Sequence, residues 1–246
     1  MVNTGPKRWT KNELILALNL YCKLPFGKMH KGNPSIIALA SYLGRTPSSV
    51  AMKLVNFAAL DPSLPRKGLS GTSRLDQEVW DEFFDKEDII VESEKNISSL
   101  SASTIQDLPL DSDYHSIDRI VETKARCLQN FFRTAVLTNY HYKCCLSGIN
   151  IPQLLVASHI VPWAADANNR LNPSNGICLN ALYDKAFDRG LITFDNNYRT
   201  VLSNSIKNIE NNRLLLEIQG KRLDLPEKFY PSQEFLEYHR NNIFVR

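Results

Sequence analysis

Residues 158–190 read SHIVPWAADANNRLNPSNGICLNALYDKAFDRG, and their local signals spell strand, loop, strand, helix. Val156 to Val161 is a short, apolar, β-compatible run, and Gly176 to Leu179 is similar. Ala181 to Arg189 has the character of a helix with Gly190 as its stop. His159 falls in the first strand and Asn175 at the start of the second. Asp184 and Asp188 are four residues apart on the expected helix, so their carboxylates share one face and can grip one cation. Hydrolysis of a phosphodiester needs a base to activate water, a metal to absorb phosphoryl charge, and something to hold both in register. His159 is the candidate base, Asn175 is suited to orient it by a hydrogen bond, and the two aspartates are the candidate metal ligands. Taken singly, each has an ordinary structural explanation: a core histidine, a turn asparagine, a solvated helix face. The joint pattern is what points to chemistry.

Working outward, an amphipathic helix of roughly Ser116 to Thr138 precedes this unit. Its core side carries Ile120, Cys127, Leu128, Phe131, Phe132, Ala135 and Val136. After the unit come short strands near Leu191 to Phe194 and Thr200 to Leu202, then helical sequence ending in Phe235 to Phe244. At the other end of the chain, Thr10 followed by Glu13 forms a capping-box pattern that starts a helix through about Tyr21. Asn33-Pro34 caps a second helix that should end near Gly44, and Thr46-Pro47 opens a third with Val50, Leu54 and Phe57 buried. This helix, turn and helix resembles a helix-turn-helix of the winged-helix or Myb-like kind, whose second helix enters the major groove. Its DNA-binding candidates are Arg45, Ser48, Ser49, Lys53 and Asn56, with Met52 on the same exposed side. A plain three-helix bundle is the alternative. Residues 61–74 are expected to form a wing or extended arm, and Asp76 to Phe84 a short helix.

Charge is distributed unevenly. Residues 1–74 hold eleven Lys/Arg against Glu13 and Asp61, whereas residues 75–114 hold twelve Asp/Glu against Lys86 and Lys95. A basic head on a chain of net charge +3 suits a polyanion partner. The acidic, Ser-rich stretch reads as a connector. The expected division is therefore a basic helical DNA-recognition domain at 1–91, an acidic linker at 92–114 and a catalytic domain at 115–246. Five scattered cysteines without a CxxC pair argue against a disulfide framework and a four-cysteine zinc site. No run approaches the roughly 18 apolar residues of a membrane span, and the N-terminus lacks a signal-peptide core. The expectation is a soluble, cytoplasmic protein with no membrane partner.

From about Lys124 onward the sequence resembles the HNH (ββα-metal) endonuclease family, in the branch found in bacterial restriction-type nucleases. The resemblance is carried by Gln129-Asn130-Phe131-Phe132-Arg133, Tyr140, Cys145, Ser147-Gly148, Ser158-His159-Ile160, Pro162-Trp163, Asn172-Pro173-Ser174-Asn175-Gly176, Phe187-Asp188-Arg189-Gly190 and Glu237-Tyr238-His239-Arg240. It implies a C-terminal ββα-metal nuclease domain, which together with the helix-turn-helix-like helical N-terminal domain read above makes the expected fold α+β. It also implies His159 as general base, Asn175 as the middle asparagine, and Asp184 and Asp188 as metal ligands. Departures from the family pattern are specific. Asp184 stands where histidine is usual, next to Tyr183. Ser158, a third ligand or support, stands where Asp or His often precedes the base. Asn180 and Tyr183 occupy the second cysteine pair of the family's zinc ribbon. Two carboxylates without an imidazole favour Mg²⁺ or Mn²⁺ over Zn²⁺. Arg170 and Arg189 are candidate phosphate clamps, and His239 is read as structural.

The expected function is a metal-dependent double-stranded DNA endonuclease of restriction or defence type, with modified-base recognition suggested by domain architecture. Cutting both strands would call for a homodimer. The alternatives are a non-catalytic DNA-binding regulator on a degenerate HNH scaffold, and an RNA nuclease or nicking enzyme.

Overall fold

Thr10 opens helix α1 (Lys11–Cys22): its side chain accepts from the Glu13 backbone while the Glu13 carboxylate accepts from the Thr10 N–H, the expected capping box. The computed structural model describes residues 7–64, 71–100, 118–207 and 213–246. Asn33 caps α2 (Pro34–Leu43), which ends at Gly44, and Thr46 caps α3 (Pro47–Phe57), each with proline at the first helical position. Then follow α4 (Arg74–Phe83) and α5 (Glu87–Leu100). α1 packs against all four of these helices. It is buried almost all round because Leu14, Leu18 and Tyr21 face one side and Leu16, Leu20 and Cys22 the other. Residues 65–70 of the expected wing lie outside the described residues.

The linker expected from Glu92 does not begin there. Ile90 and Ile97 of α5 are buried, and Asn19 of α1 donates hydrogen bonds to Ser93 and Glu94 at 2.8 and 2.7 Å. An acidic composition hid an apolar stripe spaced at helical period. Residues 101–114 lie outside the described residues.

α3 also departs from its expected exposure. Lys53 is buried, with Nζ 2.9 Å from both oxygens of the fully buried Asp76. Asn56 is buried and donates to the Gly71 carbonyl. The Arg45 side chain is 5% exposed, pairs with Glu13 at 2.8 Å and lies over the Trp9 ring at 4.0 Å. Burial alone would raise the Glu13 carboxyl, but hydrogen bonds from Arg45, Thr10 and Lys7 outweigh it and hold it at about 2. Of the five DNA-binding candidates, Arg45, Lys53 and Asn56 thus hold the helices together. Ser48 is exposed, Ser49 is partly so, and Met52 is the large apolar residue left facing out. The reason is charge complementarity inside the helical unit: Glu13 and Asp76 need cations, and these are the cations within reach.

The chain divides into two compact units, residues 1–128 and 129–246, and this division falls within α6 (Asp118–Asn139). In the second unit, β1 (Leu155–His159) pairs antiparallel with β2 (Gly176–Asn180), matching Leu155 with Asn180 and His159 with Gly176. α7 (Ala181–Asp188) follows directly and packs on both strands. A second hairpin, β3 (Ile192–Phe194) with β4 (Thr200–Leu202), is followed by the short helices α8 (Asn204–Lys207) and α9 (Arg213–Leu216) and by α10 (Gln233–Asn242), which packs on β3. The expected strand, loop, strand, helix is therefore present. Gly176 lets α6 approach this hairpin: a Cβ there would stand 2.4 Å from Val136 Cγ2 and 2.9 Å from Phe132 Cζ. Among the described residues no helix is long and apolar enough to cross a membrane.

Candidate functional site

β1, the loop after it and α7 bring Ser158, His159, Asp184, Asp188 and Arg189 to one open cleft of about 590 Å³, with Trp163 also on its wall, whereas Asn175 and Arg170 do not line it. The His159 ring is stacked on Phe132 of α6 at 3.8 Å and 11°, and its edge meets Trp163 at 5.5 Å. Its Nε2 is 2.9 Å from the Arg170 carbonyl. A carbonyl can only accept, so Nε2 carries the proton and Nδ1 is the basic nitrogen. Burial lowers the His159 pKa below 6.5, and the bond to the Arg170 carbonyl opposes this in part. The ring is thus a neutral base of fixed tautomer, held between two aromatic side chains.

Asn175 is fully buried, and its hydrogen bonds do not go to the histidine ring. Its Oδ1 accepts from the Val161 N–H at 2.8 Å, and its Nδ2 donates to the carbonyls of Val161 and Asn169 at 3.2 and 3.3 Å. Its own carbonyl accepts from the Ile160 N–H. Asn175 therefore staples both ends of the long β1–β2 connection, and that connection supplies the Arg170 carbonyl which holds the ring. The orienting link runs through the backbone because the asparagine side chain is already saturated.

Asp184 is half-buried and Asp188 is more exposed, one turn apart on α7. Burial raises the Asp184 carboxyl above its usual range, with Ser158 and Lys185 acting against the rise. Burial also raises Asp188, and the neighbouring Asp184 charge adds to it, against Lys185 and Arg189. The Ser158 hydroxyl is buried with no hydrogen bond of ordinary geometry, yet it stands near enough to Asp184 to lower that carboxyl. Among the described residues neither aspartate forms an ion pair, and no three His, Cys, Asp or Glu side chains gather into a ready-made metal cage. Two carboxylates raised by burial, Asp188 also by the charge of Asp184, fit a hard divalent cation, which would relieve these effects. The cleft is open on one face.

Residues 144–195 match the HNH endonuclease family model. The matched segment is 52 of the 246 residues and contains β1, β2 and α7, with His159, Asn175, Asp184 and Asp188. No curated protein is significantly similar to the chain. HNH nucleases generally use a divalent metal, in keeping with the carboxylate pair on α7. Hydrogen bonds tie Asn180 and the start of α7 to the turn before β1. Asn180 Nδ2 donates to Ser147 Oγ at 3.0 Å, Asn180 Oδ1 accepts from the Tyr183 N–H, and the Ser147 N–H points to Cys144 Sγ at 3.4 Å. The buried Cys145 N–H donates to the Cys178 carbonyl, and burial raises both thiols. These cysteines are packing groups.

The phosphate-clamp candidates separate. Arg170 lies over the Trp163 ring at 5.0 Å, and its carbonyl serves His159. Arg189 is exposed on the cleft wall. In the sequence Phe132 reads only as a core residue of α6, and nothing there marks Trp163 or the Arg170 carbonyl as partners of the histidine. Only Phe132 left a signal, its place on the apolar face of α6.

Proposed function

We propose that this chain is a metal-dependent endonuclease that hydrolyses phosphodiester bonds of double-stranded DNA. The observation that carries the reading is the His159 arrangement: a neutral ring whose Nε2–H is taken by the Arg170 carbonyl, so that Nδ1 is available as a base on the wall that also bears Asp184 and Asp188. A Mg²⁺ or Mn²⁺ ion held by Asp184 and Asp188 would supply charge neutralisation at the scissile phosphate. His159 Nδ1 takes a proton from the attacking water as its oxygen bonds to phosphorus. The bond from phosphorus to the leaving oxygen breaks, and that oxygen is reprotonated from solvent. Phe132 and Trp163 keep the ring in register, and Ser158 stands beside Asp184 as a supporting hydroxyl. Arg189 is the better placed of the two arginines to contact a phosphate.

The basic N-terminal unit is proposed to bind the DNA, with a helix-turn-helix-like α2–α3 pair in which Ser48 and Ser49 remain as surface contacts. A restriction or defence role and modified-base recognition rest on domain architecture, and a cytoplasmic setting rests on the five scattered cysteines. One site per chain makes double-strand cleavage a task for two copies. The second reading is a DNA-binding regulator on the same scaffold, favoured by the two-carboxylate donor set.

The deciding experiment is cleavage of methylated and unmethylated plasmid in Mg²⁺ and in Mn²⁺, comparing wild type with His159→Ala. Metal-dependent cutting lost in the variant supports the nuclease. DNA binding without cutting by either form supports the regulator.

A further inference from the structure

We propose that His239 of α10 is a positioning residue for Asp188, so that the C-terminal helix, outside the segment matching the family model, is a working part of the cation site. This rests on the reading that Asp184 and Asp188 hold a divalent cation. α7 is eight residues long, too short to be stable alone, and it ends in Asp188, an anion at the negative end of the helix dipole. Left to itself, the last turn should fray and take one of the two carboxylates with it.

The structure holds that turn from outside. His239 is 1% exposed, and its Nε2 is 3.1 Å from the carbonyl of Phe187, the residue before Asp188. The carbonyl accepts, so Nε2 is the protonated nitrogen and Nδ1 accepts from the Thr193 hydroxyl at 2.9 Å. The ring also stacks on Phe187 at 3.8 Å and 3°. One turn further along, a Cβ on Gly190 would stand 2.1 Å from the Ile243 carbonyl oxygen, and the Val245 N–H donates to the Gly190 carbonyl at 2.9 Å. His239 and Ile243 both reach the wall of the cleft that contains the aspartates. Stacking alone would serve packing. The added N–H on the Phe187 carbonyl in the last turn of the ligand helix, from a ring whose other nitrogen is held by the Thr193 hydroxyl, sets where Asp188 points.

The test is Mn²⁺ binding to the full chain, followed by titration calorimetry without DNA. The variants are His239→Phe, which keeps the stack and loses the donor, His239→Gln, which keeps a donor, and Asp188→Asn. Leu223→Ala, a buried site outside the cleft, is the control for general loss of stability. The expectation is roughly tenfold weaker Mn²⁺ binding in His239→Phe, a size typical of groups that orient metal ligands. His239→Gln should bind near the wild-type level, and Leu223→Ala should match wild type despite a lower Tm. Equal affinity of His239→Phe and wild type overturns the proposal, as does equal weakening in Leu223→Ala. If wild type binds no better than Asp188→Asn, the cation-site reading fails and this inference falls with it. Should His239→Phe not fold by near-ultraviolet circular dichroism, Thr193→Val replaces it. That variant removes the hydrogen bond to the ring's Nδ1 and is expected to bind up to about tenfold more weakly, with unchanged affinity again overturning the proposal.

Discussion

α3 and α7 present the same problem in sequence, a short amphipathic helix with polar residues that suggest a functional face, and the structure resolves them in opposite ways. On α3, Lys53 is buried against Asp76, and Arg45 just ahead of the helix is paired with Glu13. On α7, Asp184 and Asp188 are drawn partly out of water beside each other, with no ion pair among the described residues. A charge that is buried and paired is holding the fold. A charge that is half-buried and left beside a like charge is held at a cost to the fold, and a cation that relieves the cost is the simplest reason for it.

The largest expected effect breaks the α3 side of this comparison. Asp76→Asn leaves Lys53 buried beside a neutral amide and should destabilise the helical unit by about 3–5 kcal/mol, read as a fall in the denaturant midpoint. A loss below about 1 kcal/mol would mean that the pair is not structural.

The pH dependence of stability tests the C-terminal unit next. Burial lowers the His239 pKa from 6.5 to about 4, with the hydrogen bond to Phe187 opposing and Arg240 adding to the fall. Its neutral form is the folded form, so the contribution is complete above pH 6.5 and is lost as pH falls from 6.5 towards 4. The whole is on the order of 3 kcal/mol. His159 is lowered in the same sense and adds to the same slope. Denaturation curves across this window should show that slope for wild type and a shallower one for His239→Gln.

On the α7 side, Asp184→Asn should reduce cutting about a hundredfold, roughly 2.7 kcal/mol in the barrier. In metal-free protein it should leave Tm unchanged or raised, because a desolvated carboxylate next to another has been removed. A variant that loses Tm as well as cutting would make Asp184 structural, like Lys53. The same base makes a pH prediction for the rate: His159 must be neutral to accept a proton, so cutting should persist below pH 6.5 and fall only when the lowered pKa is crossed. The smallest effect is at exposed Met52, where Met52→Ala should shift stability by less than about 0.5 kcal/mol.

Much of the fold was legible because it is written in local chemistry. The capping box at Thr10 and Glu13, the Asn33-Pro34 and Thr46-Pro47 starts, the two strands and α7 each follow from residues close in sequence. The acidic linker was misread from Glu92 because composition outweighed the buried spacing of Ile90 and Ile97. At the candidate site the four principal residues were legible as a spacing, and three of them, His159, Asp184 and Asp188, line the cleft. The partners that tune them were not legible. Phe132 lies before β1, Arg170 acts through its carbonyl, and His239 is 51 residues beyond Asp188.

The sequence by itself determined which elements form and which residue types could perform hydrolysis, since caps, periodicity and i to i+4 spacing act over a few residues. Only the tertiary structure decided which charges are spent on the fold and which nitrogen of His159 is basic. It also decided what holds the end of α7. Those outcomes depend on contacts between segments far apart in the chain, where burial and the geometry of a single carbonyl fix the chemistry of a side chain.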